Sequence, residues 1–102
     1  MRRGEVWWLE PPTEKARPYL ILTRDLVVER LDKVLAAPTT RRARGIPTEV
    51  PLDDDDGMPT SCVVSLDNTQ LIPRAYCTRR ITTLGPDRLD QVCRALRIAI
   101  DC

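Results

Sequence analysis

Up to about residue 84 the apolar positions come in short runs broken by Pro, Gly and Asp, and beyond it they fall into a helical rhythm. Gly4 to Leu9 predicts a first strand, with Val6 and Trp8 on one side and Trp7 on the other. Pro11-Pro12 ends it, because proline has no ladder donor, and the polar stretch to Ala16 is a loop. The run from Arg17 to Thr23 predicts a second strand and Lys33 to Pro38 a third, stopped by Pro38; Arg24 to Asp32 between them predicts a short helix or turn. Thr39 to Gly45 is a polar, basic connection, and Ile46 to Leu52 a fourth strand whose two prolines put it at an edge. Ser61 to Leu66 and Arg79 to Leu84 predict two more strands. From Pro86, apolar Leu89, Val92, Cys93, Leu96, Ala99 and Ile100 recur at i, i+3, i+4 and i+7, which is one face of an amphipathic helix. Pro86 suits the first helical position with Gly85 before it, and Leu84 meets Leu89 across the start. The expected fold is mainly β (α+β): a small barrel-like core of five to seven strands under a C-terminal helix, one domain over residues 1–102.

Composition narrows the chemistry. The chain has no histidine, which excludes Ser-His-Asp and Cys-His catalysis and histidine-ligated metals. It has no phenylalanine either, so the core rests on Leu, Val, Ile and the two tryptophans. Cys62, Cys77, Cys93 and Cys102 contain no C-x-x-C pair and read as structural thiols, with no metal and no cofactor indicated. No apolar run is long enough for a bilayer, and Met1 to Glu5 leads straight into strand-like alternation without a signal-peptide core. These features predict a soluble cytoplasmic protein without a membrane partner.

The charge of +1 hides an asymmetry: setting aside Asp53 to Asp56, 16 basic residues face 11 acidic ones, a balance of +5. The aspartate run does not fit a calcium loop of the EF-hand type, since the ligand positions counted from Gly57 fall on Leu52 and Val63. Most of the basic residues are arginine, gathered as Arg41, Arg42 and Arg44, and as Arg74, Arg79 and Arg80. The guanidinium fork matches phosphate and stacks on bases, so these are candidate RNA-binding residues; solvated loops are the plainer reading.

Gly4-Glu5-Val6-Trp7-Trp8, Arg17-Pro18-Tyr19-Leu20-Ile21-Leu22-Thr23, Ala37-Pro38-Thr39-Thr40 and Arg44-Gly45-Ile46-Pro47-Thr48-Glu49-Val50 follow one another in an order that resembles the MazF/PemK family of toxin endoribonucleases. Ser61 to Asn68 is similar to that family's strand ending in Asp-Gln or Asp-Asn. The resemblance implies an SH3-like (CcdB-like) barrel with a C-terminal helix. It also implies a homodimer that cuts single-stranded RNA without metal, and inhibition by a cognate MazE-like antitoxin. Its essential arginine matches Arg17. Its essential threonine, counted back from the Gly-x-Pro-x-Glu segment, matches Thr40, while anchoring on the Thr-Thr pair selects Thr39. The Pro-rich loop before Arg17 and Thr82 in place of a common glycine depart from the pattern and bear on substrate choice.

Metal-free cleavage of this kind uses the RNA's own 2′-OH as nucleophile, and the resemblance implies 2′,3′-cyclic phosphate and 5′-OH products. The implied role of Arg17 is to stabilise the charge of the pentavalent phosphorus, and that of Thr40 is to donate a hydroxyl to a non-bridging oxygen. The sequence names no general base. The alternative is a non-catalytic toxin on the same barrel, resembling the CcdB topoisomerase poisons, or a nucleic-acid-binding module without activity.

Overall fold

The computed structural model describes residues 1–102. The strands are β1 (Glu5–Leu9), β2 (Arg17–Ile21), β3 (Lys33–Thr40), β4 (Glu49–Leu52), β5 (Cys62–Ser65), β6 (Gln70–Pro73) and β7 (Cys77–Thr83). A one-turn helix α1 (Asp25–Val28) lies between β2 and β3, and α2 (Pro86–Ile100) closes the fold. All pairings are antiparallel, in the order β4-β5-β3-β2-β1-β7, with β6 added to β3. β4 and β7 end this path without pairing to each other, so the seven-stranded sheet is not closed into a barrel. β4 is the expected edge, and Pro51 sits on it where a missing donor does no harm.

Besides the open sheet, the fourth strand begins at Glu49 rather than Ile46, and two further differences concern β3 and its neighbours. Pro38 does not stop the third strand, which runs on through Thr39 and Thr40. Pro38 lies opposite Tyr19 at the last pair with β2, and the strand then takes β5 as its partner. β6 was not foreseen: it has only four residues, two of them exposed, between two short 3₁₀ turns. One edge of β3 therefore carries β6 along its first half and β5 along its end, while β2 lies on the other edge.

The alternation along β1, β2 and β3 divides the core. Val6, Leu20 and Ala37 face a cluster with Val50, Leu52, Val64 and Leu66, against which α2 packs Val92 and Ala95. Tyr19, Ile21 and Ala36 face a smaller cluster with Val28, Val34 and Ile72. At the start of α2, Pro86 is the first helical residue after Gly85 and both Leu84 and Leu89 pack into the first cluster, as the sequence predicts.

The aspartate run is structural. Asp53 and Asp56 form a reciprocal cap: the Asp53 carboxylate accepts from the Asp55 amide, and the Asp56 carboxylate accepts from the Asp53 amide at 2.9 Å. Asp56 also accepts from Arg88 Nε of α2 at 3.0 Å, and its carbonyl accepts from the Thr82 hydroxyl at 2.7 Å. Gly57 follows at φ +88°, and a Cβ there would collide with Thr82 Oγ1, so the loop admits only glycine beside this threonine. The β4–β5 loop is thus fastened to β7 and α2 together. No helix is long and apolar enough to cross a membrane.

Candidate functional site

A cleft of about 570 Å³ opens where β2, the end of β3, the loop after it and the turn after β5 converge. It is lined by three guanidinium groups, Arg17, Arg42 and Arg44, against two carboxylates, Glu49 and Asp67. Arg17 opens β2 and is exposed. Arg17 makes no ion pair with Glu5, which accepts instead from Arg80 (3.1 Å), Trp7 Nε1 (3.0 Å) and the Arg2 amide (2.7 Å). Burial pushes the Glu5 carboxyl up, but these three donors outweigh it and hold it below the ordinary value. The Arg17 guanidinium is left without an intramolecular partner and faces the cleft.

The register separates the two threonines. Carrying the Tyr19–Pro38 pairing two steps further places Arg17 opposite Thr40, and opposed residues share a face of the sheet. Thr40 Oγ accepts from the Arg42 amide at 3.2 Å, which leaves its own proton to donate into the cleft. Thr39 also borders the cleft, but it is 5% exposed and its hydroxyl is spent on the Pro18 carbonyl. Thr39 fixes β3 to β2; Thr40 is the available group.

The basic residues part company. Arg42 and Arg44 reach the cleft from the loop after β3, whereas Arg41 on the same loop is exposed outside it. Arg74, Arg79 and Arg80 do not line it. Arg74 is tied to Glu29 (2.9 Å) and the Leu31 carbonyl (3.0 Å), and Arg80 to Glu5, so these two serve the fold. Arg79 stands exposed on β7 opposite Trp8.

Several lining groups carried no role in the sequence reading. Tyr19 on β2 accepts from Gln70 Nε2 at 3.0 Å, and burial, partly offset by the Arg17 charge, raises its phenol pKa. Asp67 stands on the turn after β5, where Oδ2 accepts from the Thr48 hydroxyl at 2.6 Å and Asn68 donates to Ser65 Oγ at 2.7 Å. Glu49 lies opposite Ser65 at the start of β4. The signal for Glu49 and Asp67 was present, since both belong to segments that carry the family resemblance, but neither has a chemistry until its neighbours are known. Asp53, Asp54 and Asp55 hold their carboxylates within 4.8 Å of one another, yet none borders the cleft and Asp53 is already engaged in the cap.

The arrangement suits an anionic, extended ligand: a polar groove, one free guanidinium on a strand, two on a loop, and a hydroxyl donor opposite the first. The family model described as "PemK-like, MazF-like toxin of type II toxin-antitoxin system" matches residues 2–100. A Mycobacterium tuberculosis protein named "Probable endoribonuclease MazF2" is 42% identical over 103 residues, covering 100% of both chains. Among solved structures, Mycobacterium tuberculosis toxin MazF-mt6 superposes with a TM-score of 0.87 at 39% identity, covering 95% of this chain and 96% of that one. MazE-MazF (Form-III) from Deinococcus radiodurans superposes with a TM-score of 0.84 at 27% identity, covering 99% and 96%.

Proposed function

Since the chain belongs to the PemK-like, MazF-like toxins of type II toxin-antitoxin systems, we propose that it is a metal-independent endoribonuclease that cuts single-stranded RNA at a preferred sequence. The observation that carries this reading is that the unpartnered Arg17 guanidinium and the Thr40 hydroxyl line one arginine-bordered cleft.

The reaction begins with attack of the RNA's 2′-oxygen on the adjacent phosphorus; the P–O5′ bond breaks with its electron pair on O5′, which takes a proton from water, giving a 2′,3′-cyclic phosphate and a 5′-OH. Charge grows on the non-bridging oxygens as the five-coordinate phosphorus forms, and Arg17 and Thr40 donate to them. Positive charge at phosphorus is thereby supplied by side chains. The 2′-OH proton needs an acceptor, and the cleft has two carboxylates. Each has one oxygen engaged, Glu49 Oε1 by two backbone amides and Asp67 Oδ2 by the Thr48 hydroxyl, but Asp67 is exposed where Glu49 is half-buried. Asp67 Oδ1 is therefore our candidate base. Arg42 and Arg44 hold flanking phosphates.

The protein acts in the cytoplasm, where its substrate is, as a homodimer, and a MazE-like antitoxin with an acidic segment silences it by competing for the same guanidinium groups. The test is incubation of wild type and Arg17→Ala with a long single-stranded RNA in EDTA, followed by mapping of ends. Wild type is expected to leave cyclic-phosphate ends at a recurring sequence, with Arg17→Ala slower by about 10²–10³. Intact RNA with wild type, or cleavage at the wild-type rate by folded Arg17→Ala, refutes the proposal.

A further inference from the structure

The loop from Arg41 to Pro47 carries two of the three arginines of the cleft, yet every one of its residues is exposed. No buried side chain of its own anchors it. Its backbone is held at few points: the Arg42 amide on Thr40 Oγ, the Ile46 carbonyl under the Glu49 amide at 3.1 Å, and the Arg44 and Gly45 amides on one oxygen of Glu49. The last two bonds are 2.8 and 3.1 Å long and converge on Oε1. Gly45, at φ +69°, takes the left-handed turn that aims successive amides at a single acceptor.

Glu49 places a second negative charge, beside that of Asp67, in a cleft that three arginines make favourable to an anion. For phosphate binding alone that charge is adverse. Its position, opposite Ser65 on the edge strand, makes sense as a clamp on the loop. We infer that Glu49 is a positioning residue: its carboxylate fixes the Arg41–Pro47 loop so that Arg42 and Arg44 are in place before RNA arrives. The inference rests on the endoribonuclease reading for its consequence in activity, but the clamp itself can be measured without it.

Two substitutions separate the clamp from other uses of this carboxylate. Glu49→Gln keeps an acceptor oxygen for the Arg44 and Gly45 amides and loses basicity. Glu49→Ala loses both. Loop ordering before binding acts on ground state and transition state alike, so Glu49→Ala is expected to raise KM about tenfold while kcat changes less than about threefold. Glu49→Gln is expected to return KM to within about threefold of wild type, with the pH profile of kcat unchanged. Hydrogen exchange at the Arg44 and Gly45 amides is expected to be slow in wild type and Glu49→Gln and fast in Glu49→Ala. A Glu49→Gln protein as impaired as Glu49→Ala, with both amides still protected, overturns the inference, because the charge and not the clamp then matters. Unchanged protection in Glu49→Ala overturns it as well. If wild type cleaves no RNA, the endoribonuclease reading fails, and the exchange series alone decides the clamp.

Discussion

Replacing Asp56 by alanine removes the carboxylate that joins the β4–β5 loop to α2. Three contacts lose their acceptor or their site: Arg88 Nε at 3.0 and 3.1 Å to the two oxygens, and the Asp53 amide at 2.9 Å. Asp56 is 11% exposed and Arg88 25%, so water replaces little of what is lost. A hydrogen bond to a charged group contributes about 1.5–3 kcal/mol, and loss of a capping acceptor costs about 0.5–2 kcal/mol. Arg88 keeps Gln91 Oε1 at 3.0 Å and Asp53 at 3.8 Å, which softens the loss. The net expectation is about 2–3 kcal/mol, or roughly 10–20 °C in Tm for a domain of this size. Thermal melts followed by circular dichroism on wild type, Asp56→Ala, Arg88→Met and the double variant measure it. The coupling between the two side chains is expected at about 1.5 kcal/mol. RNA cleavage per folded molecule is expected to be unchanged, because neither residue borders the cleft. A coupling below about 0.5 kcal/mol, or a Tm within about 3 °C of wild type, refutes the latch.

Thr40→Ala is expected to lower cleavage while leaving Tm nearly unchanged, whereas Thr39→Ala, which strips the donor from the Pro18 carbonyl, is expected to cost about 1 kcal/mol in a urea titration. Arg42→Ala is expected to weaken RNA binding and reduce its salt slope by about one; Arg80→Ala, which unpairs buried Glu5, is expected to lower stability and leave the slope alone. The reverse pattern in a salt series contradicts the assignment of the two arginines. Acid is expected to destabilise the fold through Glu5 and Asp56. For Asp56, as for Glu5, burial acts to raise the pKa and the hydrogen-bond donors outweigh it, so both folded pKa values lie below the unfolded ones. Their contribution is thus full above the unfolded values of about 4 and disappears as pH falls through the folded ones. Melts between about pH 5 and 2 are expected to show a shallower acid limb in Asp56→Asn than in wild type.

Most of the strand pattern was legible because alternation and proline breaks report directly on which face is buried, and the amphipathic period of α2 needed no tertiary knowledge. What failed did so where an element's identity depends on its partner. β6 has too few residues and too little burial to announce itself, and it is a strand only because β3 offers an edge from Lys33 to Ala36. Pro38 looked like a stop because its missing donor was judged without knowing which neighbour lay beside it. The same limit governed the site. Arg17 and Thr40 stood out through their place in the segments that carry the family resemblance, and both line the cleft. Arg74 and Arg80 looked alike in sequence to Arg42 and Arg44, but their acids, Glu29 and Glu5, lie 45 and 75 residues away. Clustering along the chain measures local charge density; it does not say which charges are already neutralised.

β3 borders three strands, and the cleft is assembled around its end from Arg17 on one flank and the Asp67 turn on the other. None of these pieces holds its position alone, since Thr40 is braced by β5 and β5 follows it by more than twenty residues. A ribosome making this chain therefore carries no working cleft until the turn after β5 has left the exit tunnel and docked. A chain cut short before Asp67 therefore lacks one flank of the cleft, whatever it keeps of β1 to β3.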